Sequence, residues 1–137
     1  MATDIHLHQE IKIGGVWQHY ALKRVPRSYE LFNKMAGVGD SYNHLPIREP
    51  RGIPDDSTFL TQFDYIQWEG NSNNPSWFNA KDIAKIISWL RLNDDTWQRE
   101  IDSFGFLFST GWESFYNYPK DRSPDIEDIR FIFWFDN

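Results

Sequence analysis

The first 23 residues contain the pattern that most constrains the fold: two alternating segments joined by a pair of glycines. In residues 5–13 the apolar side chains fall on odd positions, with Gln9 as the exception, and polar side chains fall on even positions. This alternation is typical of a strand with one buried face. Gly14 and Gly15 accept the positive φ angles of a two-residue turn, and residues 16–23 provide a return strand. We therefore predict an N-terminal β-hairpin.

The far end of the chain predicts a strand of a different kind. Residues 129–135 read Ile-Arg-Phe-Ile-Phe-Trp-Phe, so apolar side chains occupy both faces in the middle of the run. Such a strand is usually central and covered on both sides. Because the two ends of a domain often meet, we expect this strand to lie beside the hairpin.

The middle of the chain predicts helices separated by loops. The third helix is the clearest, since isoleucines and a leucine recur at the spacing of one helix face from residue 83 to residue 90. Residues 38–57 and 70–76 are rich in Gly, Pro, Asn and Ser and predict loops, and a loop as long as the first is often functional. The predicted helix starts are Ser28, Asp56 or Ser57, Asn79, and Asp94 or Asp95. For the segment after Asp56 or Ser57, which holds Phe59, Leu60, Phe63 and Ile66, a strand is the alternative.

This order of elements predicts an α+β fold. We expect one domain spanning residues 1–137, with the hairpin and the C-terminal strand in a mainly antiparallel sheet packed with two to four helices. The 24 aromatic residues disfavour a disordered chain. The absence of Cys excludes disulfides, thiolate zinc sites and cysteine nucleophiles. No apolar run of about 18 residues and no leader pattern are seen, so we expect a cytoplasmic protein without a membrane span.

The net charge of −6 is unevenly distributed. Residues 1–54 hold five acids and seven bases, for +2, whereas residues 55–137 hold 15 acids and seven bases, for −8. This balance argues against bulk binding to DNA. The acidic residues 55–137 would complement a basic partner protein. The alternative is that their charge only keeps an aromatic-rich domain soluble.

The N-terminal strand also carries a candidate metal site. Asp4, His6, His8 and Glu10 share one face, with about 6.6–6.8 Å between successive members, so one ion can touch at most three of them. If the turn is Gly-Gly, His19 lies opposite Glu10. A set of histidine and carboxylate ligands suits Zn²⁺ or Mn²⁺. The alternative to a metal site is that these side chains form a polar strand face that contacts solvent. Other available ligands are His44, Asp64 and Asp136.

A second candidate is an anion site in the long loop. Arg48 and Arg51 lie among prolines and glycines and could bind a phosphate or carboxylate bidentately. Lys23, Arg24 and Arg27 could complete the pocket. The alternative is that the loop arginines pair with the neighbouring acids Glu49, Asp55 and Asp56.

A third candidate is an aromatic contact surface near the C-terminus. The segment before Pro119 resembles a loop, which favours an interface over a core position for its aromatic side chains. These residues are Trp112, Phe115, Tyr116 and Tyr118.

Several motifs spread along most of the chain occur together. They are Asp4-Ile5-His6 with Glu10 and Lys12, Tyr29-x-Leu31-Phe32, Ala36-Gly37-Val38, Pro50-Arg51-Gly52-Ile53-Pro54-Asp55-Asp56, Ser76-Trp77 and the closing Phe131-Ile132-Phe133-Trp134-Phe135-Asp136-Asn137. In this combination the chain resembles a group of small, uncharacterised bacteriophage and prophage proteins. The resemblance implies a phage origin and names no reaction. Thr3 stands where relatives have Cys, and residues 71–75 replace an Asp-Gly-His-Ser segment, which removes one potential His ligand.

Two functions remain open at this point. The first is a phage accessory protein that acts by binding a host protein or a nucleotide-type ligand, either inhibiting a host defence enzyme or sequestering a nucleotide signal. The alternative is a metal-dependent hydrolase of the phosphodiesterase or nuclease kind. In that reading His6 and His8, with Asp4 or Glu10, hold the metal and Arg48 or Arg51 clamps phosphate.

Overall fold

An antiparallel sheet of four strands forms the centre of the computed structural model, which describes residues 2–92 and 126–136. The strands are β1 (Asp4–Ile13), β2 (Val16–Lys23), β3 (Ser72–Asn79) and β4 (Ile126–Asp136). Their order across the sheet is β2-β1-β4-β3. The helix expected to begin at Asp94 or Asp95 lies outside the described residues.

The predicted hairpin is confirmed. Gly14 and Gly15 have φ angles of 58° and 76°, the positive values that the two-residue turn needs. From this turn the strands pair as expected, so Glu10 lies opposite His19. The register then shifts by one residue at a β-bulge between Gln9 and Glu10.

The C-terminal strand is central, as predicted. β4 pairs with β1 on one side and with β3 on the other. All of residues 129–135 are buried, which explains why apolar side chains occupy both of its faces.

The prediction of a loop over residues 70–76 is wrong, because β3 begins at Ser72. The segment shows no alternation and contains Pro75, so the side chains do not indicate a strand. It pairs through its backbone at the sheet edge, where proline is tolerated. The pairing is irregular between Asn73 and Ser76, and Asn74 between them has a φ of 50°.

Three helices lie in the described part of the chain: α1 (Tyr29–Ala36), α2 (Phe59–Gln67) and α3 (Ala80–Leu92). Ser28 caps α1 as predicted, and Gly37 ends it with a left-handed φ of 73°. Before α3, the backbone N–H of Asp82 donates to Asn79 Oδ1 at 2.9 Å and that of Asn79 donates to Asp82 Oδ2 at 3.1 Å. This reciprocal cap confirms the predicted start. The N-cap position of α2 is Thr58, one residue after Ser57, and its side chain makes no capping hydrogen bond.

The two faces of the sheet differ in chemistry. The core face packs against α1 and α3 through apolar side chains that include Leu7, Phe32, Phe78, Ile83, Phe131 and Phe133. The opposite side, here called the polar face, carries His6, His8, Glu10, Arg130 and Trp134, and α2 contacts it. The predicted α+β class is confirmed. No helix among the described residues is long and apolar enough to cross a membrane.

Candidate functional site

The polar face brings the even-numbered side chains of β1 and β4 together. The register pairs His6 with Trp134 and Glu10 with Arg130. Directly opposed residues of an antiparallel pair project to the same side. The sequence predicted this shared face for β1 but not what β4 adds to it.

Glu10 connects α2 to the sheet. Its side chain is fully buried, and Oε1 accepts from Arg130 Nε at 2.9 Å. Oε2 accepts from the backbone N–H of Thr58 at 2.9 Å and from the hydroxyls of Thr58 and Thr61, each at 2.7 Å. A buried carboxylate is tolerated when donors surround it in this way. Glu10 therefore fixes the start of α2 over the polar face.

Arg130 is held by a second carboxylate and by an aromatic ring. Its Nη1 donates to Asp56 Oδ1 at 2.8 Å, and its Nη2 donates to the Asp56 carbonyl at 3.1 Å. The guanidinium lies 3.9 Å from the centre of the Trp17 ring, in the geometry of a cation–π contact. All of these contacts are internal and position the loop that leads into α2.

A chain of three titratable groups crosses the polar face next to this ion pair. His8 Nε2 lies 2.7 Å from Asp64 Oδ2, and His8 Nδ1 lies 2.9 Å from His19 Nε2. A neutral His8 that donates Nε2–H to Asp64 accepts at Nδ1 from the Nε2–H of His19. His8 is buried, whereas His19 is half-buried and forms the more accessible end. The three groups therefore connect α2, β1 and β2 by side-chain hydrogen bonds.

The surroundings of His19 in this series of hydrogen-bonded side chains favour its neutral form. Burial lowers the pKa of the His19 imidazole below its ordinary value of 6.5, and the neighbouring His8 lowers it further. Glu10 acts in the opposite direction. The His19 imidazole is therefore held as a hydrogen-bonding group rather than as a cation.

His6 belongs to a separate pair at the other end of the face. Its Nε2 lies 2.6 Å from Asp136 Oδ2, and its ring lies 4.3 Å from that of Trp68, centre to centre. Trp134 stacks between His6 and His8, with centre distances of 5.8 and 5.4 Å. Its buried indole N–H has no acceptor among the described residues. This aromatic column separates His6 from His8.

The candidate metal ligands have other partners. His6 pairs with Asp136, His8 with Asp64 and His19, and Glu10 with Arg130. Of the additional ligands considered, Asp64, Asp136 and His19 do reach the face, whereas His44 bonds Glu30 elsewhere at 2.9 Å. Within residues 2–92 and 126–136, no group of three or more His, Asp or Glu side chains is arranged to hold a metal ion.

Asp4, the remaining candidate ligand, is paired with Arg27. The Arg27 guanidinium donates to both oxygens of the Asp4 carboxylate at 3.0 Å. This hydrogen bonding lowers the pKa of the Asp4 carboxyl below its ordinary value. Both side chains lie at the surface, and this ion pair occupies both oxygens of the Asp4 carboxylate.

The predicted anion-binding arginines do not form one group. Arg48 donates to both oxygens of Asp82 at 3.0 Å, and Arg51 Nη2 lies 3.5 Å from the same carboxylate. Arg51 also stacks 3.4 Å from the centre of the Trp77 ring. The loop arginines thus pair within the chain, with Asp82 rather than with Glu49, Asp55 and Asp56. Arg27 lies with Asp4, and Arg24 is exposed on the link after β2.

The aromatic side chains predicted as an interface, Trp112, Phe115, Tyr116 and Tyr118, lie outside the described residues. A different apolar surface is present on α2, and it is called the α2 outer face here. Its four members are Phe59, Leu60, Phe63 and Ile66, which are 76%, 55%, 56% and 63% exposed. The opposite side of α2 meets the sheet through Thr61, Asp64 and Tyr65, and Trp68, the residue after the helix, contacts His6.

Sequence reasoning missed the groups that hold this face together. The sequence gives no partner for Arg130, and it marks Asp56 only as a possible helix start or as a partner for the loop arginines. Thr58 and Thr61 carry no recognisable motif. The available signal was the single charged residue inside the run 129–135, because a buried charge needs a partner.

Comparison of the chain with protein families, curated proteins and solved structures found no match. The resemblance to phage proteins therefore stays a prediction, and the geometry alone supports the functional interpretation.

Proposed function

We propose that the protein acts by binding a partner protein through the α2 outer face. The observation that carries this proposal is the orientation of α2. Thr61, Asp64 and Tyr65 face the sheet. The exposed apolar side chains of α2 are Phe59, Leu60, Phe63 and Ile66. An exposed apolar helix face of this kind is typical of an interaction site.

The outer face is organised like one side of an interface. Residues 59, 60, 63 and 66 follow the spacing of a single helix face, and the rings of Phe59 and Phe63 stack with centres 5.9 Å apart. Aromatic side chains are common at the centres of protein interfaces. The contacts of Glu10 and Asp64 hold the helix in place from behind, so the surface is preformed.

The charge around this face indicates the chemistry of the partner. Residues 52–80 contain no Lys or Arg. Of their four acids, Asp56 pairs with Arg130 and Asp64 with His8, whereas Asp55 and Glu69 are exposed just before and just after α2. Exposed carboxylates at the two ends of an apolar face complement an apolar groove bordered by lysine or arginine side chains. A second copy would bring like charges together across an isologous contact, which disfavours self-association. If the phage resemblance holds, the partner is a host protein.

A pair of designed peptides tests the proposal. One amphipathic helix carries leucines on one face with lysines along both edges, and the other carries glutamates in place of the lysines. We expect the lysine peptide to bind, measured by fluorescence anisotropy, and the glutamate peptide not to bind. Equal binding of both peptides, or of neither, would contradict the proposal.

A matched pair of variants locates the binding. Phe63→Ser removes buried apolar contact from the complex and should weaken binding at least about tenfold. Leu45→Ser removes an equally apolar side chain, 81% exposed in a loop, and should leave the affinity unchanged. Thermal unfolding is measured for both variants. A large loss of stability in Phe63→Ser alone would show that the face packs within the chain, and would overturn the proposal.

A further inference from the structure

A cavity of about 330 Å³ lies away from the polar face and from α2. It is formed where the residue before β1, the first residue of α1 and the start of the long loop meet. Its lining residues are Thr3, Tyr29, Val38, Gly39, Asp40, Ser41 and Tyr42.

The loop that lines this cavity is fixed from both sides by one buried side chain. The Nδ2 of Asn33 donates to the Val38 carbonyl at 3.2 Å, and the Oδ1 of Asn33 accepts from the backbone N–H of His44 at 2.9 Å. Residues 39–43 therefore span two anchored points. Gly39 turns the chain between them with a φ of 80°, which other residues rarely adopt. The cavity wall is thus built into the fold.

The two tyrosines are also held in place. Tyr42 stacks on His44 with ring centres 6.0 Å apart, and His44 is anchored by Glu30 at 2.9 Å. Tyr29 packs edge-on against the buried ring of Phe32. Two phenol rings from different segments therefore border the cavity, and each is oriented by a contact with a neighbouring ring.

The lining favours a cation. Asp40 is the single charged residue among the lining side chains, and within the described chain it has neither an ion pair nor a hydrogen bond. The same lining contains the phenol rings of Tyr29 and Tyr42, and aromatic rings attract cations. A lining that combines a carboxylate with aromatic rings suits a planar guanidinium, which can stack and donate two hydrogen bonds at once. The volume lies at the lower end of ligand pockets, so the group is small.

We propose that this cavity binds a guanidinium group, supplied either by an arginine side chain of a peptide or by a free small guanidine compound. The site is independent of the α2 outer face, so its failure would leave the proposed function standing. It also differs from the anion site expected from the sequence, because its fixed charge is negative.

Calorimetric titration tests the proposal with N-acetyl-arginine amide, an arginine-containing pentapeptide and free guanidinium. The uncharged citrulline amide is the control ligand, since it keeps the shape and loses the charge. We expect the arginine ligands to bind and the citrulline ligand not to bind. Tighter binding of the pentapeptide would identify a peptide as the source, whereas equal binding of free guanidinium would identify a small compound.

Two substitutions complete the test. Asp40→Asn keeps the side-chain shape and should weaken binding at least about tenfold. Asp55→Asn changes the net charge equally at an exposed position outside the cavity and should have no effect. Equal binding of arginine and citrulline ligands, equal effects of the two substitutions, or no binding of any arginine ligand would each overturn the proposal.

Discussion

The Nδ1 atom of His8 lies 2.9 Å from the Nε2 atom of His19, so two imidazoles on neighbouring strands share a hydrogen bond. Such a bond needs one ring to donate and the other to accept, which a pair of imidazolium ions cannot do. Because Asp64 occupies the far nitrogen of His8, the pair is ordered in one direction. The edge strand β2 is thereby tied to α2 through β1.

We expect the His19 imidazole to titrate below pH 6.5, because burial and the neighbouring His8 lower its pKa. The unfolded chain then binds more protons at His19 than the folded chain does. This contribution to stability is complete above pH 6.5 and is lost as the pH falls through the lowered pKa of the folded state. NMR titration of the ring signals gives the midpoint, and a midpoint at or above 6.5 would contradict the account.

The same linkage predicts the behaviour of a variant. His19→Gln removes the titrating group, so the free energy of unfolding should fall less steeply on acidification than it does for the wild type. Denaturant unfolding at about pH 7.5 and about pH 5.5 measures the difference. An unchanged slope would mean that His19 has the same pKa in both states.

Glu10→Gln should be strongly destabilising. The substitution leaves Arg130 buried with one carboxylate instead of two, and removing one member of a buried pair typically costs about 3–5 kcal/mol. Glu49→Gln is the control, since Glu49 is exposed and a surface change of this kind costs about 0.5 kcal/mol or less. Denaturant unfolding compares the two. Similar losses in both variants would show that the buried pair is not what holds α2 to the sheet.

Gln9→Met should stabilise the protein. Gln9 occupies an inward position of β1 and is fully buried, and neither its amide oxygen nor its amide nitrogen has a partner among the described residues. Replacing an unsatisfied buried amide with an apolar group of similar size should raise the free energy of unfolding by about 1–3 kcal/mol. Gln18→Met, on the exposed side of β2, is the matched control. A loss of stability in Gln9→Met would indicate that the amide makes a contact that the structure does not describe.

Metal analysis tests the hydrolase alternative. His6, His8 and Glu10 each bond another side chain, so we expect protein supplied with Zn²⁺ or Mn²⁺ to retain much less than one ion per chain. The control is the His6→Ala/His8→Ala double variant, which should retain the same small amount. Near-stoichiometric metal in the wild type that disappears in the double variant would revive the hydrolase reading.

The sequence predicts those elements whose side-chain pattern reports burial directly. The alternation in residues 5–13 and the glycine pair define the hairpin, and the bonded caps at Ser28 and Asn79 mark the starts of α1 and α3. β3 could not be found in this way because its pairing is made by backbone groups that any sequence supplies.

For the candidate site, the side-chain pattern of α2 does not predict which of its faces is buried. The stripe at residues 59, 63 and 66 of α2 is typical of a buried helix face, yet the structure exposes it. The side of α2 that faces the sheet is set by hydrogen bonds to β1. The Thr61 hydroxyl donates to Glu10, and the Asp64 carboxylate bonds His8. Such complementarity between distant residues is not visible along one element.

Site-specific photo-cross-linking tests the central claim most directly. A photoreactive amino acid replaces Phe63 on the α2 outer face in one variant and the exposed Leu45 in another, and each is irradiated with the lysine-edged peptide. Mass spectrometry then counts the peptide adducts. We predict a strong adduct at position 63, suppressed by excess unlabelled peptide, and none at position 45. Equal yields at the two positions, or no adduct at position 63, would contradict binding through α2.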